Sequence, residues 1–430
     1  MARRGKKGRR HSTRGTLILL AIVVTPFVVV AVGLPFLVPN KTYIYPDGLD
    51  PLQARREAPE NVYDTIDEAY RLLENVPKPT DYVPGVAAKG SRIPAEVDAS
   101  AYLSASAAGV AKVREALAGE YFLSKAPLSL DTNAPEYSPS AQVLHHLVLH
   151  AVYGGEGNHI AGFEDAFGLA RLLLAGDARY THKELYALTA VIDFAREAEG
   201  GELTRLAALL DTVGAPPTSM RPLVEDIFRA ADAAVRQGFS REHNFVLRSL
   251  DTSRLQRAVS FVADNKEHLL ALADEHPAKL WEWLVTPRNA RRLHRLWLLA
   301  RTSELYANVL SAHQATRIVI ALERYERDHD AYPERLDQLV PDYLPEVPED
   351  LGSQAAYVYN VAGEDYHLYG IGLDGRDNGG GSSGRDWIWV APPRPAMPGL
   401  MPGSMPTLPP MPAPPMPTPP ALSPPPAPTN

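Results

Sequence analysis

Residues 288–328 read RNARRLHRLWLLARTSELYANVLSAHQATRIVIALERYERD and contain neither proline nor glycine. Apolar or small residues recur in this segment at a near-heptad spacing, at Leu293, Leu296, Ala300, Ser303, Ala307 and Leu310. This spacing places them on one face of an α-helix, so the segment predicts a single long helix. At 1.5 Å per residue the helix would run about 60 Å. Together with the helical pattern of the chain before it, this helix predicts a mainly α protein.

The first part of the segment, residues 288–301, is strongly basic, with leucines and a tryptophan between the arginines. Two interpretations are open for these residues. Either they form a face that binds a membrane surface or a partner, or the arginines are simply solvated beside a buried stripe of leucines.

The chain before this segment also has the pattern of helices. Amphipathic runs occur at residues 61–73, 107–117, 141–153, 163–174, 183–198, 203–212, 223–237 and 254–273. Clusters of glycine, proline, aspartate and asparagine separate several of the runs, as helix termini require. Alternation of β-branched residues is nearly absent. We therefore predict a multi-helix domain over residues 61–310.

After residue 330 the pattern changes from helix to strand. The long helix must end before Tyr332-Pro333, because proline cannot continue it, and residues 334–339 form one further turn. Runs typical of strands follow at residues 355–361, 366–371 and 387–390, and Ala-Gly-Glu-Asp at 362–365 joins the first two as a hairpin. These patterns predict a small α+β module over residues 311–390.

The order of residues in this module resembles the globular part of the major pseudopilins of type II secretion systems. The matching positions are Ala321, Leu322, Tyr325, Asp328, Tyr332, Pro333, Leu336, Leu339, Tyr343, Leu344, Pro348, Tyr357, Tyr359, Tyr366, Tyr369, Gly372, Leu373, Asp374, Gly375, Gly379, Gly380, Asp386 and Trp389. The resemblance implies a long helix packed on a small antiparallel sheet, a role in a periplasmic assembly, and a calcium site in the last loop. Because a helical domain precedes the module, we interpret it as a module borrowed by a larger anchored protein.

The chemistry of the last loop favours calcium as well. Residues 374–386 include three aspartates, one asparagine, two serines and five glycines. Calcium takes six to eight oxygen ligands from carboxylates, amides and carbonyls, and glycines allow carbonyl groups to turn inward. The predicted Ca²⁺ ligands are Leu373 (through its carbonyl), Asp374, Asp377, Ser383 and Asp386. The alternative is a surface loop that binds no ion.

At the N-terminus, a basic tail is followed by a long apolar stretch. Residues 1–15 carry seven basic side chains and no acidic one, and residues 16–38, TLILLAIVVTPFVVVAVGLPFLV, carry no charge. About 20 apolar residues span a bilayer core, and a basic flank stays in the cytoplasm. We predict a single-pass anchor in a bacterial inner membrane, with its N-terminus inside, a linker over 39–60 and the bulk of the chain extracytoplasmic. A cleaved signal peptide is the alternative. The basic tail is better explained as a topology signal than as a nucleic-acid site, so no nucleic acid is expected as a partner.

Composition narrows the function classes. The absence of cysteine excludes disulfides, thiol catalysis and cysteine metal sites. Residues 391–430 hold 18 of the 40 prolines and predict a disordered or polyproline II tail. His146 and His150 have the spacing of helical metal ligands, but Leu147 stands where the HExxH pattern has its glutamate.

We therefore expect a non-enzymatic structural or interaction protein whose partners are the lipid bilayer and the components of an envelope assembly. Two alternatives stay open. One is a metal-dependent hydrolase that uses His146 and His150, and the other is a ligand-sensing helical domain.

Overall fold

The structure, a computed structural model, describes residues 42–45, 50–80, 82–84, 93–94, 97–123, 137–155, 157–177, 180–236, 245–381 and 385–391. The predicted basic tail, the predicted span over 16–38 and residues 392–430 of the proline-rich tail lie outside these ranges. Among the helices within them, none is both long and apolar enough to cross a bilayer. All the described residues belong to a single unit of mutual contacts.

The described part of the chain is mainly helical. Its α-helices are α1 (Asp50–Glu57), α2 (Tyr63–Leu73), α3 (Ser100–Ala116), α4 (Tyr137–Tyr153), α5 (His159–Gly176), α6 (His182–Ala195), α7 (Gly200–Val213), α8 (Arg221–Arg236), α9 (Phe245–Glu275), α10 (Pro277–Val285), α11 (Pro287–Leu293) and α12 (Trp297–His329). Single turns of 3₁₀ helix lie at His294–Leu296 and Leu336–Leu339. Each predicted amphipathic run falls on its own helix, from α2 to α9. The prediction of a mainly helical fold is confirmed.

The long helix is shorter than its sequence predicts. A continuous helix was expected over residues 288–328, but α11 ends at Leu293, a 3₁₀ turn follows, and α12 begins at Trp297. Leu293 and Leu296 are both buried. A 3₁₀ helix has three residues per turn, so the two leucines stay on the same side through this turn, as they would in a continuous α-helix.

The helices enclose two hydrophobic cores, and α12 contributes to both. The first core collects residues of α2–α7, the later part of α12 and the sheet, with Phe163, Phe167 and Tyr366 fully buried in it. The second collects α8–α11, Ile44 and the early part of α12, including Leu299. The predicted boundary at residues 310 and 311 therefore lies inside α12.

The C-terminal region ends in a three-stranded antiparallel sheet with strand order β1 (Val358–Ala362), β2 (Asp365–Gly370) and β3 (Trp387–Val390). Ala362 pairs with Asp365, so Gly363 and Glu364 form a two-residue hairpin loop, and Gly363 has the positive φ of 70° that such turns require. The α+β character predicted for this region, a long helix with a small antiparallel sheet, is confirmed.

A buried ion pair ties the sheet to the helical region. Arg196, directly after α6, donates from Nη2 to both carboxylate oxygens of Asp365 at 2.8 and 2.7 Å. Both side chains are largely buried, with 15% and 12% exposed. The pair fixes the first residue of β2 against the end of a helix that lies 169 residues earlier in the chain.

Candidate metal centre in the C-terminal module

The loop between β2 and β3, residues 371–386, is shaped by glycines with left-handed backbone. Gly372 has φ of +67°, and a Cβ there would lie 2.4 Å from the carbonyl oxygen of Arg385. Gly380 has φ of +61°, and its Cβ would meet the ring of His367 at 2.4 Å. Only glycine fits such positions without strain, because the backbone conformation and the close approach both exclude a side chain. The loop thus closes on itself and on the sheet.

Asp386 organises the inside of this loop. Its side chain is buried, and Oδ2 accepts hydrogen bonds from the backbone N–H groups of Asn378 at 3.0 Å and Gly380 at 2.8 Å. Oδ1 has only longer contacts, to Asn378 N at 3.3 Å and Asn378 Nδ2 at 3.4 Å. A carboxylate offers about four lone-pair positions, so Oδ1 keeps capacity for a cation.

The other predicted ligands divide into three groups. Leu373 and Asp374 line the same cleft as Asp386, and Asp374 Oδ1 accepts a hydrogen bond from the backbone N–H of Arg376 at 3.1 Å. Asp377 is engaged elsewhere, because its Oδ1 accepts from the Tyr369 hydroxyl at 3.0 Å and from the Gly379 N–H at 2.7 Å. Ser383 lies outside the described residues.

The cleft has a volume of about 670 Å³ and is lined by residues of both α12 and the loop. Glu304 and Asn308 from α12 face it together with Asp374 and Asp386. Asn308 Oδ1 is buried and has no hydrogen-bond partner among the described residues. Glu304 pairs with Arg301 at 3.0 Å, and this pair is about half exposed. Sequence analysis missed both α12 residues, because nothing in the chain links them to a loop some 70 residues later.

This donor set fits a hard cation. Carboxylates, an amide oxygen and backbone carbonyls are the ligands that calcium prefers, and thiol and imidazole ligands are not needed. Within the described ranges, no group of three or more histidine, aspartate or glutamate side chains could hold a metal by itself. A cation here would therefore depend on Asn308 and on carbonyls such as that of Leu373. Arg385 lines the same cleft and opposes a cation electrostatically.

Two aromatic side chains of β2, His367 and Tyr369, pack against the loop. The rings of His367 and Tyr369 lie 4.7 Å apart. Burial, and then the hydrogen bond to Asp377, raise the pKa of Tyr369 to about 12. Burial lowers the pKa of His367. Both groups are therefore neutral at pH 7, and the charged side chains of the loop are its three aspartates and two arginines.

The histidines of α4 have a different environment. Tyr102 Oη lies 2.9 Å from His146 Nδ1, and Ser106 Oγ lies 2.6 Å from His150 Nε2. Burial lowers the pKa of both histidines to about 4. Both hydroxyl groups belong to α3, so these contacts join α3 to α4 as buried polar packing.

Comparisons with known proteins add no further constraint. The chain matches no protein-family model, no curated protein and no solved structure.

Proposed function

We propose that this chain is a single-pass, membrane-anchored protein of the bacterial envelope that acts through binding rather than catalysis. Its C-terminal module binds calcium, and the protein serves as a structural or interaction component of a type II secretion or pilus-like assembly. The basic tail and apolar stretch before residue 39 support the anchor and its orientation. The pseudopilin-like order of residues 315–390 supports the class of assembly.

The observation that carries the calcium proposal is the arrangement around Asp386. Backbone N–H groups hold Oδ2 in place, Oδ1 has only longer contacts to Asn378, and Asp386 lines a cleft that Asp374 and Asn308 also line. Calcium bound there would join the β2–β3 loop to α12 through ligands on both. An ion that binds only the folded state stabilises that state by mass action. The folded module would then be most stable in the calcium-rich space outside the cytoplasm.

The alternative of a metal-dependent hydrolase gains no support from His146 and His150. A metal ligand needs a free, unprotonated ring nitrogen aimed at a common point with other ligands. One nitrogen of each ring is within hydrogen-bond distance of a hydroxyl on α3, and among the described residues no group of three or more histidine, aspartate or glutamate side chains could hold a metal.

Calorimetric titration of calcium into the full chain tests the proposal. We expect a dissociation constant between about 1 μM and 1 mM, the range of sensor and extracellular calcium modules. Asp374→Asn and Asp386→Asn should each weaken binding at least about tenfold, because each removes one charge from the site while keeping the side-chain shape. Asp337→Asn is the matched control, since Asp337 belongs to the same module and pairs with Arg335 outside the cleft.

Two results would contradict the proposal. One is a folded chain that takes up no calcium at millimolar concentration. The other is calcium binding that both cleft variants retain at the affinity of the Asp337→Asn control. A positive result has a further signature: Arg385→Gln should tighten binding by up to about fivefold, because it removes the opposing charge from the rim.

A further inference from the structure

A second cleft, between α9 and α11, is lined by basic side chains. It has a volume of about 470 Å³. Its ionisable lining residues are Arg254, Arg257, Asp264, Arg291, Arg292 and His294. Four permanent positive charges therefore face one carboxylate. In the part of the chain that the structure describes, none of the four guanidinium groups forms a salt bridge.

The arginines come from two separate stretches of sequence. Arg254, Arg257 and Asp264 share one face of α9, because they lie at intervals of three and seven residues. Arg291 and Arg292 lie in the last turn of α11, and His294 begins the 3₁₀ turn after it. Packing of α11 on α9 therefore places Arg291 and Arg292 beside Arg254 and Arg257.

One guanidinium is held in place by stacking. The Cζ atom of Arg292 lies 4.9 Å from the ring centroid of Phe261, which in turn stacks on Trp283 at 5.9 Å with an interplanar angle of 13°. Arg291 donates from Nε to the carbonyl of Pro287 at 2.9 Å. Arginine side chains fixed in this way present their remaining N–H groups as a fork, which matches the oxygens of a phosphate.

The cleft also lies close to the residues that follow the predicted span. Gln256, a buried residue of its lining, donates from Nε2 to the carbonyl oxygen of Thr42 at 2.9 Å. The next residues are held as well, because the N–H groups of Ile44 and Tyr45 donate to the two oxygens of Asp232 at 2.9 and 2.6 Å. Thr42 follows the last residue of the span, Val38, by four positions, and four residues cover at most about 14 Å.

We infer that this cleft binds the phosphate of an anionic phospholipid in the bilayer that anchors the chain. The phosphate is the chemical feature recognised, and the lipid headgroup is its source, because the cleft is tethered within reach of the headgroup layer. That layer extends some 5–7 Å beyond each side of the hydrocarbon core. Trp297, three residues after His294, leaves 44% of its surface exposed, and tryptophan is enriched at this depth of a membrane.

The inference rests on the anchor in the proposed function, and the test separates the two. The full chain is reconstituted into nanodiscs of phosphatidylcholine alone, or of phosphatidylcholine with about one third phosphatidylglycerol. Because the chain has no cysteine, Glu267→Cys supplies a single thiol for a fluorescent dye, one turn beyond Asp264 on the same face of α9. A nitroxide on the lipid headgroup quenches the dye when the cleft lies at the membrane surface.

We expect quenching to be at least threefold stronger in the phosphatidylglycerol discs. Each basic residue near an anionic surface strengthens association roughly fivefold, so Arg291→Gln with Arg292→Gln should weaken it about 25-fold and return quenching to the phosphatidylcholine level. The control, Arg71→Gln with Arg205→Gln, removes the same charge from α2 and α7 and should leave quenching unchanged. All four arginines in these variants are largely exposed, so each variant should keep its fold, which circular dichroism verifies.

Three results would overturn the inference. The first is equal quenching in both kinds of disc, and the second is strong quenching that the Arg291/Arg292 variant retains. The third is a change in dye fluorescence on adding millimolar inorganic phosphate that is as large as the change with phosphatidylglycerol. The last result would identify a site for a soluble anion. If the chain does not enter phosphatidylcholine discs, the anchor fails instead. Sedimentation with phosphatidylglycerol vesicles then decides the lipid site alone: binding that the double variant loses supports the inference, and no binding overturns it.

Discussion

Glu323 is a buried carboxyl group at the junction between α12 and the sheet. It accepts hydrogen bonds from the hydroxyls of Tyr332, at 3.1 and 3.2 Å, and Tyr366, at 3.0 Å. Only 1% of the residue is exposed. Burial raises the pKa of Glu323 to about 7, an effect that the Tyr366 hydrogen bond and the charge of Arg196 only partly offset. The group therefore titrates near neutral pH in the folded protein.

This raised pKa predicts a specific pH dependence of stability. Glu323 has an ordinary pKa near 4.5 in the unfolded chain, so between pH 4.5 and 7 the folded state holds more protons than the unfolded state. Its contribution is complete below pH 4.5 and is lost as pH rises through 7, by about 3 kcal/mol in all. Glu323→Gln should remove this trend.

Denaturant unfolding of both proteins at several values between pH 4.5 and 8 measures it. The buried histidines, whose pKa values are lowered, titrate in the same range with the opposite sign. They are present in both proteins, so the difference between the two unfolding free energies isolates Glu323. A difference that does not change with pH would contradict the prediction.

Gly372 and Gly375 offer a matched pair of substitutions in the candidate metal loop. Both have positive φ, at 67° and 63°. A Cβ at Gly372 would meet the Arg385 carbonyl, whereas one at Gly375 has nothing within 4 Å. Gly375→Ala should cost about 1 kcal/mol for the left-handed backbone alone, and Gly372→Ala about 2 kcal/mol more for the steric conflict. Thermal unfolding of the two variants checks this, and equal losses of stability would show that the loop yields at Gly372.

The Arg196–Asp365 pair joins the end of a helix to a strand, so its loss should lower the free energy of unfolding of the whole unit. Arg196→Met leaves the Asp365 carboxylate buried without its partner, which should cost about 3 kcal/mol. Adding Asp365→Asn should recover part of that loss, since the uncompensated charge is gone. The exposed pair Arg335–Asp337 is the control, and Arg335→Met should have no measurable effect. Urea unfolding of the unmodified chain and the three variants gives the four unfolding free energies. A loss below about 1 kcal/mol for Arg196→Met would mean that water reaches Asp365.

The elements themselves were largely predictable, because their signals are local. The amphipathic period marked α2–α9, and tyrosine-rich runs with a Gly-containing turn marked the hairpin of β1 and β2. The 3₁₀ turn at His294–Leu296 was not predictable from a stretch without proline or glycine. The turn is a feature of the folded chain that the local sequence pattern does not indicate.

At the scale of the molecule, one core joins the helical region to the C-terminal module. Ile318 and Leu322 of α12 lie in the same buried cluster as Leu188 of α6 and Tyr366 of β2. We therefore expect the module and α2–α7 to unfold in one transition. Near-ultraviolet circular dichroism, to which Trp387 and Trp389 contribute, should give the same melting temperature as the far-ultraviolet signal of the helices. Separation by more than about 5 °C would mean that the module unfolds independently.

The candidate sites were predictable only in part, for a reason of distance along the chain. The aspartates of the β2–β3 loop are close in sequence, so their chemistry was visible there. Glu304 and Asn308 join Asp386 only because α12 packs beside β3, and Arg254 lines a cleft with Arg291 only because α11 packs against α9. Such pairings depend on tertiary packing, which a single sequence does not display.

The position of α12 in both cores also bears on how such a chain can change over generations. One residue inserted into a helix turns everything beyond it by about 100°. Placed between Leu299 and Leu322, an insertion or deletion would turn the buried stripe of one core away from its partners while leaving the other in place. Homologues should therefore vary freely in the lengths of their loops, including the glycine-rich one, and yet keep the spacing between these two leucines constant.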